Sequence, residues 1–266
     1  MEPAVNIVLR AARKAGDIIA RATERMDLIK IEEKEKNDFV TNVDKAAEQE
    51  IIEHIQKAWP EHNIMGEESG LISGSNGQSD ITWYIDPLDG TTNFVRGIPH
   101  FSVSIACVKN DIVEHAVIYD PVRLEEFTAS RGRGASLNGV RLRVSDKHNF
   151  NGALIGTGVP YRSSQEPFIK AYMRCLEHFA THGSGIRRGG SAALDLAYVA
   201  AGRMDAFWEH GLRPWVVAAG LLLIQEAGGL IADFKGGNSC ITTGNIVCGN
   251  PKLFKELLKV VNTNLG

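Results

Sequence analysis

Ile85-Asp86-Pro87-Leu88-Asp89-Gly90-Thr91-Thr92 is the stretch of sequence that says most about the fold and chemistry of this chain. Two carboxylates three residues apart follow the strand-like run Ile81–Ile85, and a glycine and two hydroxyls come directly after them. Carboxylate oxygens are hard ligands that suit Mg²⁺, which also binds substrate phosphates. Pro87 disfavours a regular helix or a central strand, and therefore predicts a turn. Gly90 allows close backbone approach, and free N–H groups in such a turn can cradle an anion.

An Asx-rich surface turn is the alternative interpretation, because Asp, Gly and Pro also favour ordinary turns. A second acidic cluster, Gly66-Glu67-Glu68-Ser69, precedes the first by one strand and one loop. Two clusters at the ends of neighbouring strands can share a cation, so the pair favours a divalent metal site.

The bulk composition is that of an ordinary globular protein. The 266 residues are 44% hydrophobic and 23% charged, and the net charge of −3 gives no electrostatic footprint for nucleic acid. The N-terminus does not resemble a signal peptide, and the longest apolar run, Val216–Ile224, is too short to span a membrane. We therefore expect a cytoplasmic protein with four reduced thiols, since no Cys-x-x-Cys pair occurs among Cys107, Cys175, Cys240 and Cys248.

Apolar periodicity predicts helices and strands that alternate without a strict βαβ rhythm. Helices are expected over 3–24, over 44–59 with a Thr41-x-x-Asp44 capping box, over 166–180 and 191–201, from Pro214 to about 227, and after Asn250. Strands are expected over 101–108 and 112–119 as a hairpin, and over 153–157, 184–188, 205–209 and 230–234. The pattern predicts a layered α+β or mixed α/β fold.

The motifs identify a family resemblance. The chain resembles the inositol monophosphatase family, most closely its bacterial SuhB branch. The first family motif is matched by Gly66–Ser69 and Asp86–Phe94, and the second, with one departure, by Trp215–Gly220 and Glu226–Gly229. A haloacid-dehalogenase phosphatase would instead have two aspartates separated by one residue. The similarity runs from the first helix to about residue 250.

The resemblance implies a single domain over residues 1–266 with a five-layer αβαβα sandwich. The N-terminal α+β half would end at about 145 and carry the first metal motif, and the C-terminal α/β half would begin at about 146. The implied protein is a homodimeric, Li⁺-sensitive phosphatase that uses two or three Mg²⁺ ions on a small polyol phosphate, typically inositol 1-phosphate. Sister phosphatases for fructose 1,6-bisphosphate or nucleotide 3′-phosphates share the first motif but usually carry extra segments. The SuhB branch implies an alternative role in transcription antitermination, through RNA polymerase and Nus factors.

The resemblance also assigns roles to individual residues. Glu67, Asp86 and the carbonyl of Leu88 would hold the first Mg²⁺, and Asp86 and Asp89 a second. Glu67, Thr91 and Asp44 would be catalytic, the last two by positioning the attacking water. The amides of Gly90 and Thr91 would hold the phosphate, and Ser191, Ala192 and Glu209 would contact the polyol. Asp89 would also be a substrate-binding residue. A lysine, Lys34 or Lys36, is a further candidate.

Several of these residues have plainer interpretations that the sequence leaves open. Asp44 could serve only as a helix cap, and Glu209 could be an ordinary exposed acid. His100 is most simply a hydrogen-bonded structural histidine, and Trp208 and Trp215 are most simply core residues. Arg187 and Arg188 are most simply solvated or at a dimer contact.

Val216 is the departure from the second motif. Family members carry aspartate after the tryptophan, as a ligand of the second metal, and valine has no donor atoms. The neighbours Val217, Ala218 and Ala219 restore no carboxylate. Metal charge stabilisation is worth several kcal/mol, so the sequence predicts phosphatase activity reduced by about 10²–10⁴.

Overall fold

The computed structural model describes residues 2–35, 38–160 and 163–266. Within these ranges the α-helices are α1 (Pro3–Thr23), α2 (Asn42–Ala58), α3 (Thr91–Val95), α4 (Ile169–Thr181), α5 (Ala192–Ala200), α6 (Pro214–Glu226), α7 (Cys240–Thr243) and α8 (Pro251–Leu265). Short 3₁₀-helices cover Met26–Leu28 and Ser163–Phe168.

The strands form two large sheets and one small hairpin. They are β1 (Ile31–Glu35), β2 (Asp38–Thr41), β3 (Asn63–Gly66), β4 (Gly70–Ile72), β5 (Ile81–Asp89), β6 (Ser102–Lys109), β7 (Ile112–Asp120), β8 (Glu125–Ser130), β9 (Gly134–Leu137), β10 (Val140–Arg141), β11 (Leu154–Thr157), β12 (Gly185–Arg187), β13 (Ala206–Glu209), β14 (Leu230–Ala232) and β15 (Ile246–Gly249). The strand order is β10-β9-β8-β7-β6-β5-β3-β4 in the larger sheet and β12-β11-β13-β15-β14 in the smaller one, while β1 pairs with β2.

Helices and sheets alternate in five layers. The helices α1 and α2 pack on one face of the larger sheet, around Ile19, Ile51 and Trp83. The apolar helices α5 and α6 fill the space between the two sheets, and α4 and α8 cover the outer face of the smaller sheet. The α+β class and the αβαβα sandwich implied by the resemblance are therefore confirmed.

Most of the elements predicted from periodicity are present with bounds shifted by a few residues. The capping box at Thr41 and Asp44 forms at the start of α2, and the side chain of Asn250 caps α8. The predicted hairpin turns at Asn110 and Asp111, both of which have positive φ values (48° and 63°). Local sequence signals and tertiary structure agree at these points.

The prediction that Pro87 disfavours a central strand is wrong. Strand β5 runs through Pro87 to Asp89 and lies between β6 and β3 in the larger sheet. The pairing register with β6 shifts between Asp86 and Asp89, so Pro87 sits in a β-bulge where the ladder needs no N–H from it. The bulge is also what turns the two aspartates away from regular strand positions.

Two findings concern the expectations about membrane spans and thiols. No helix in the part of the chain that the structure describes is long and apolar enough to cross a membrane. All four cysteines are buried free thiols.

Candidate metal and phosphate site

The two acidic clusters meet because their strands are parallel neighbours. Strand β3 pairs with β5 so that Gly66 lies opposite Ile85, and the amide of Glu67 donates to the carbonyl of Ile85 at 3.1 Å. Glu67 and Asp86 thus leave adjacent strands at the same edge. This adjacency was the condition under which the sequence predicted a shared cation.

The bulge and the glycine after it shape the backbone beside the acids. The amide of Leu88 donates to Oδ1 of Asp86 at 3.1 Å, which fixes the carboxylate across the bulge. Gly90 has φ of 100° and a Cβ there would lie 3.1 Å from the carbonyl oxygen of His100, so only glycine fits without strain. The chain then enters α3 at Thr91, an element that the sequence did not predict.

The hydroxyl of Thr91 connects the bulge to the first turn of α2. Oγ1 of Thr91 lies 3.1 Å from Oδ1 of Asp44 and 3.0 Å from the carbonyl of Leu88, and it can donate to either. The second oxygen of Asp44 accepts from the amide and hydroxyl of Thr41 at 3.0 and 2.6 Å. Asp44 therefore caps α2 and also holds Thr91.

Asp89 points to the other half of the chain. Its Oδ2 accepts hydrogen bonds from the hydroxyl of Ser191 at 2.6 Å and from the amide of Ala193 at 2.7 Å. Ser191 is the N-cap of α5, so this carboxylate also lies at the positive end of the helix dipole.

These residues surround one cavity of about 360 Å³. The sequence-predicted residues that line it are Glu67, Asp86, Leu88, Asp89, Gly90, Thr91, Ser191, Ala192, Glu209 and Val216. Asp44 does not line the cavity and lies one hydrogen bond behind Thr91. Lys36 lies outside the described residues, and the side chain of Lys34 is not described.

Burial raises the pKa values of the aspartates in and behind this cavity. Burial raises the pKa of Asp86 well above its usual range, and the nearby charges of Glu67 and Asp89 raise it further. Burial raises the pKa of Asp89 to about 6, although hydrogen bonds from Ser191 and the Ala193 amide act in the opposite direction. Burial raises the pKa of Asp44 as well. A divalent cation would offset the cost of burying these charges and, at Asp86, the repulsion from Glu67 and Asp89.

The oxygen donors suit a hard cation, although the acidic side chains do not form a complete coordination shell. Within the described ranges, no group of three or more His, Cys, Asp or Glu side chains is arranged so that it could hold a metal ion. One oxygen of Asp89 is turned towards Ser191, and Val216 stands in the first turn of α6 with no acid there. Glu67, Asp86 and the Leu88 carbonyl are all oxygen donors, as Mg²⁺ prefers.

The sequence analysis did not predict two of the side chains that line the cavity. It also did not predict the unpartnered ring nitrogen of a nearby histidine. Asp195 and Arg188 were not predicted as site residues, and the positive charge of Arg188 lowers the pKa of Asp89. Nε2 of His100, expected to be hydrogen-bonded, has no partner among the described residues. Trp208 is fully buried as expected, whereas Trp215 lines the cavity.

The fold and the acidic cavity define a class before any relative is considered, namely a layered α+β protein with an oxygen-rich site between its halves. The sequence model of the inositol monophosphatase family matches residues 1–265. The chain therefore belongs to the inositol monophosphatase family.

Individual relatives resemble the chain along its whole length. A Pseudomonas aeruginosa protein named Nus factor SuhB is 56% identical, covering 100% of this chain and 98% of that protein. The Nus factor SuhB of Escherichia coli K12 is 52% identical with the same coverage.

Solved structures show the same likeness. The extragenic suppressor protein suhB of Bartonella henselae superposes with a TM-score of 0.94 at 40% identity, covering 99% of this chain and 100% of that one. An IMPase from Thermotoga maritima superposes with a TM-score of 0.88 at 34% identity, covering 99% and 98%.

Proposed function

We propose that the chain is a Mg²⁺-dependent phosphatase that hydrolyses a small polyol phosphate monoester, with inositol 1-phosphate as the leading substrate. The observation that carries this proposal is the cavity in which the ends of β3 and β5 bring Glu67, Asp86 and Asp89 together beside the Gly90 turn. Family membership supports the reaction class.

Each residue has a role in this proposal. Glu67, Asp86 and the carbonyl of Leu88 would hold one Mg²⁺, and Asp86 with Asp89 a second. Bound Mg²⁺ supplies charge neutralisation of the phosphate and activation of water. The amides of Gly90 and Thr91 bind phosphate oxygens, as free N–H groups in such turns do.

The proton acceptor in this scheme is the pair formed by Thr91 and Asp44. The Thr91 hydroxyl already lies within hydrogen-bond distance of Asp44, so it can accept a hydrogen bond from the attacking water while donating its own proton to that carboxylate. Ser191, Ala192 and Glu209 line the part of the cavity that would hold the polyol.

Val216 limits the rate in this proposal. Its side chain lines the cavity at the first turn of α6, where it offers no oxygen to a second cation. We expect Val216→Asp to raise kcat/KM for inositol 1-phosphate by about 10²–10⁴.

The test is phosphate release from myo-inositol 1-phosphate with Mg²⁺, together with Mg²⁺ binding by calorimetry. Val216→Asn is the matched control, since it has the shape of aspartate without its charge and should recover much less activity. Absence of phosphate release from both the chain and Val216→Asp would contradict the proposed reaction.

A second function, transcription antitermination, is favoured by the names of the relatives. The two proteins called Nus factor SuhB match this chain over its whole length at 56% and 52% identity. We propose that the chain can bind RNA polymerase and Nus factors through its outer surface. Co-purification from a bacterial lysate tests this, and Asp86→Asn should bind as well as the unaltered chain because the carboxylate is buried. Lack of binding by the unaltered chain would remove this function.

A further inference from the structure

A buried carboxylate on α2 holds the turn that carries Glu67. Glu48 lies in the middle of α2 and is only 2% exposed. Its Oε2 accepts a hydrogen bond from the amide of Glu68 at 2.9 Å, and its Oε1 accepts one from the amide of Ser69 at 2.7 Å. Both amides follow directly after Glu67, so one side chain fixes two consecutive peptide units beside a proposed metal ligand.

The turn lies at the edge of the larger sheet. Residues 67–69 connect β3 to β4, and β4 is a three-residue strand at the end of the strand order. Segments at the end of a short edge strand open at a low cost in free energy. The amide of Glu67 is tied to the carbonyl of Ile85, and the two hydrogen bonds to Glu48 tie the next part of the turn to the helix layer.

Gly66 allows the carboxylate of Glu48 to come this close to the sheet. A Cβ at Gly66 would lie 2.6 Å from Oε2 and 2.7 Å from Cδ of Glu48, so Glu48 occupies the volume that any larger residue would need. An apolar side chain could pack α2 against the sheet without the cost of burying a charge. Packing alone therefore does not account for a carboxylate at this position.

The same face of α2 supports a second part of the site. Asp44 lies four residues before Glu48, one turn along the helix, so the two carboxylates project from one face. Asp44 accepts from the hydroxyl of Thr91, and Glu48 accepts from the turn after Glu67. Helix α2 therefore sets the position of the proposed water-activating pair relative to the proposed metal ligand.

We propose that Glu48 is a positioning residue for Glu67. Glu48 does not line the cavity and acts only through the backbone of the turn. By holding the amides of Glu68 and Ser69, it keeps the carboxylate of Glu67 beside Asp86, where the two can share a cation. This inference rests on the proposed phosphatase function, in which Glu67 and Asp86 hold the first Mg²⁺. Its consequence is that Mg²⁺ affinity depends on a side chain outside the cavity.

Calorimetric titration with Mg²⁺ tests the proposal without turnover. Glu48→Gln keeps the shape of the side chain but presents an NH₂ group to one of the two amides, so it retains at most one hydrogen bond. We expect it to weaken Mg²⁺ binding by about tenfold, and Glu48→Ala, which retains neither bond, by about 10- to 100-fold. Amide hydrogen exchange followed by NMR is the second readout, and protection at Glu68 and Ser69 should fall in both variants.

Glu226→Gln is the matched control. The carboxylate of Glu226 also accepts two amide hydrogen bonds, from Gly132 and Gly134, both at 2.7 Å. It lies at the last residue of α6, at the opposite end from Val216. The substitution should loosen that turn and leave Mg²⁺ affinity within about twofold of the unaltered chain. A lower Tm in both glutamine variants, with unchanged Mg²⁺ affinity, would mean that Glu48 only stabilises the fold.

Two results overturn the proposal. One is Mg²⁺ binding by the Glu48 variants as tight as that of the unaltered chain, and the other is undiminished exchange protection at Glu68 and Ser69. Should Glu48→Ala fail to fold, Glu48→Gln alone decides. Absence of Mg²⁺ binding by the unaltered chain would overturn the proposal together with the proposed function, whereas Mg²⁺ binding without phosphate release would contradict the proposed function alone.

Discussion

Thr91 shows how one hydroxyl joins two distant parts of the chain. Its Oγ1 lies within hydrogen-bond distance of Asp44, 47 residues away, and of the Leu88 carbonyl at the bulge. Asp44 is 2% exposed, so its Oδ1 depends on this hydroxyl for a donor. Loss of the hydroxyl would leave a buried carboxylate oxygen unpaired and would remove the proposed path for the proton of water.

We expect Thr91→Val to lower kcat by about 10²–10⁴, the range of general acid–base effects. The assay is phosphate release in the Val216→Asp background, where activity is highest. Thr91→Ser keeps the hydroxyl and should recover most of the rate. Thr263→Val, at an exposed hydroxyl of α8 that does not line the cavity, is the matched control and should change kcat less than about threefold. A Thr91→Val variant as fast as Thr91→Ser would contradict the role of the hydroxyl.

The sequence predicted the acids of the first motif from chain proximity, but it did not predict Asp195. In the sequence, Asp195 stands in the apolar run Ala192–Val199, and helical periodicity cannot say which neighbour a helix face meets. Asp195 and His100 approach each other beside Gly189 although His100 lies far earlier in the chain, and such a juxtaposition exists only after folding. The plain interpretation of His100 did not include its unpartnered Nε2 for the same reason.

At the scale of elements, the start of α2 has both a structural and a proposed catalytic task. The hydroxyl of Thr41 accepts from the amide of Asp44 at 3.4 Å, and the carboxylate of Asp44 accepts from the amide of Thr41 at 3.0 Å, which completes the capping box. The cap orients the carboxylate that holds Thr91. The sequence left open whether Asp44 caps the helix or serves the site, and the contacts show that it caps α2 while also bonding Thr91.

We expect Thr41→Ala to lower the free energy of unfolding by about 1 kcal/mol and also to lower kcat. Asn250→Ala removes the equivalent cap from α8, far from the cavity, and is the matched control. Chemical denaturation should show similar losses of stability for the two variants, whereas phosphate release should fall only for Thr41→Ala. Equal activity in both variants would mean that the capping interaction at Thr41 does not affect catalysis.

Local sequence patterns predicted which helices and strands form better than the residues at which they begin and end. The two apolar runs of β6 and β7 and the Asn110-Asp111 turn specify a hairpin without long-range information. At Pro87 the local rule was overridden, because a β-bulge lets the proline stay in a central strand. Tertiary pairing with β6 and β3 decided that point.

At the scale of the whole molecule, the site belongs to both halves. Glu67 and Asp86 come from the larger sheet, while Ser191 and Val216 come from helices between the sheets. The class of fold follows from the sequence, but the layer count came from the resemblance. Pairings such as β13 with β15 bring together strands almost 40 residues apart, and no local pattern encodes them.

Buried acids in the cavity should link stability to pH in the metal-free protein. An aspartate in an unfolded chain has a pKa of about 3.9, whereas burial raises that of folded Asp89 to about 6. Between these values the folded state holds a proton that the unfolded state has released. The contribution of Asp89 to the free energy of unfolding is therefore full below about pH 3.9 and is lost as pH rises through about 6. Buried histidines such as His100, whose pKa is lowered, act oppositely in part of this window, so a comparison variant is needed.

We therefore expect Asp89→Asn to be more stable than the unaltered chain at pH 7.5 in EDTA, by up to about 3 kcal/mol, and the difference should shrink towards zero near pH 4. Asparagine keeps an oxygen that can accept from Ser191 and the Ala193 amide, so the comparison isolates the charge. Thermal unfolding at pH 4.5, 6.0 and 7.5 measures the difference. Added Mg²⁺ should stabilise the unaltered chain more at pH 7.5 than at pH 6.0, because the metal competes with the same protons. A stability difference that does not vary with pH would mean that Asp89 is already charge-compensated by the protein, and that its carboxylate is not kept available for a cation.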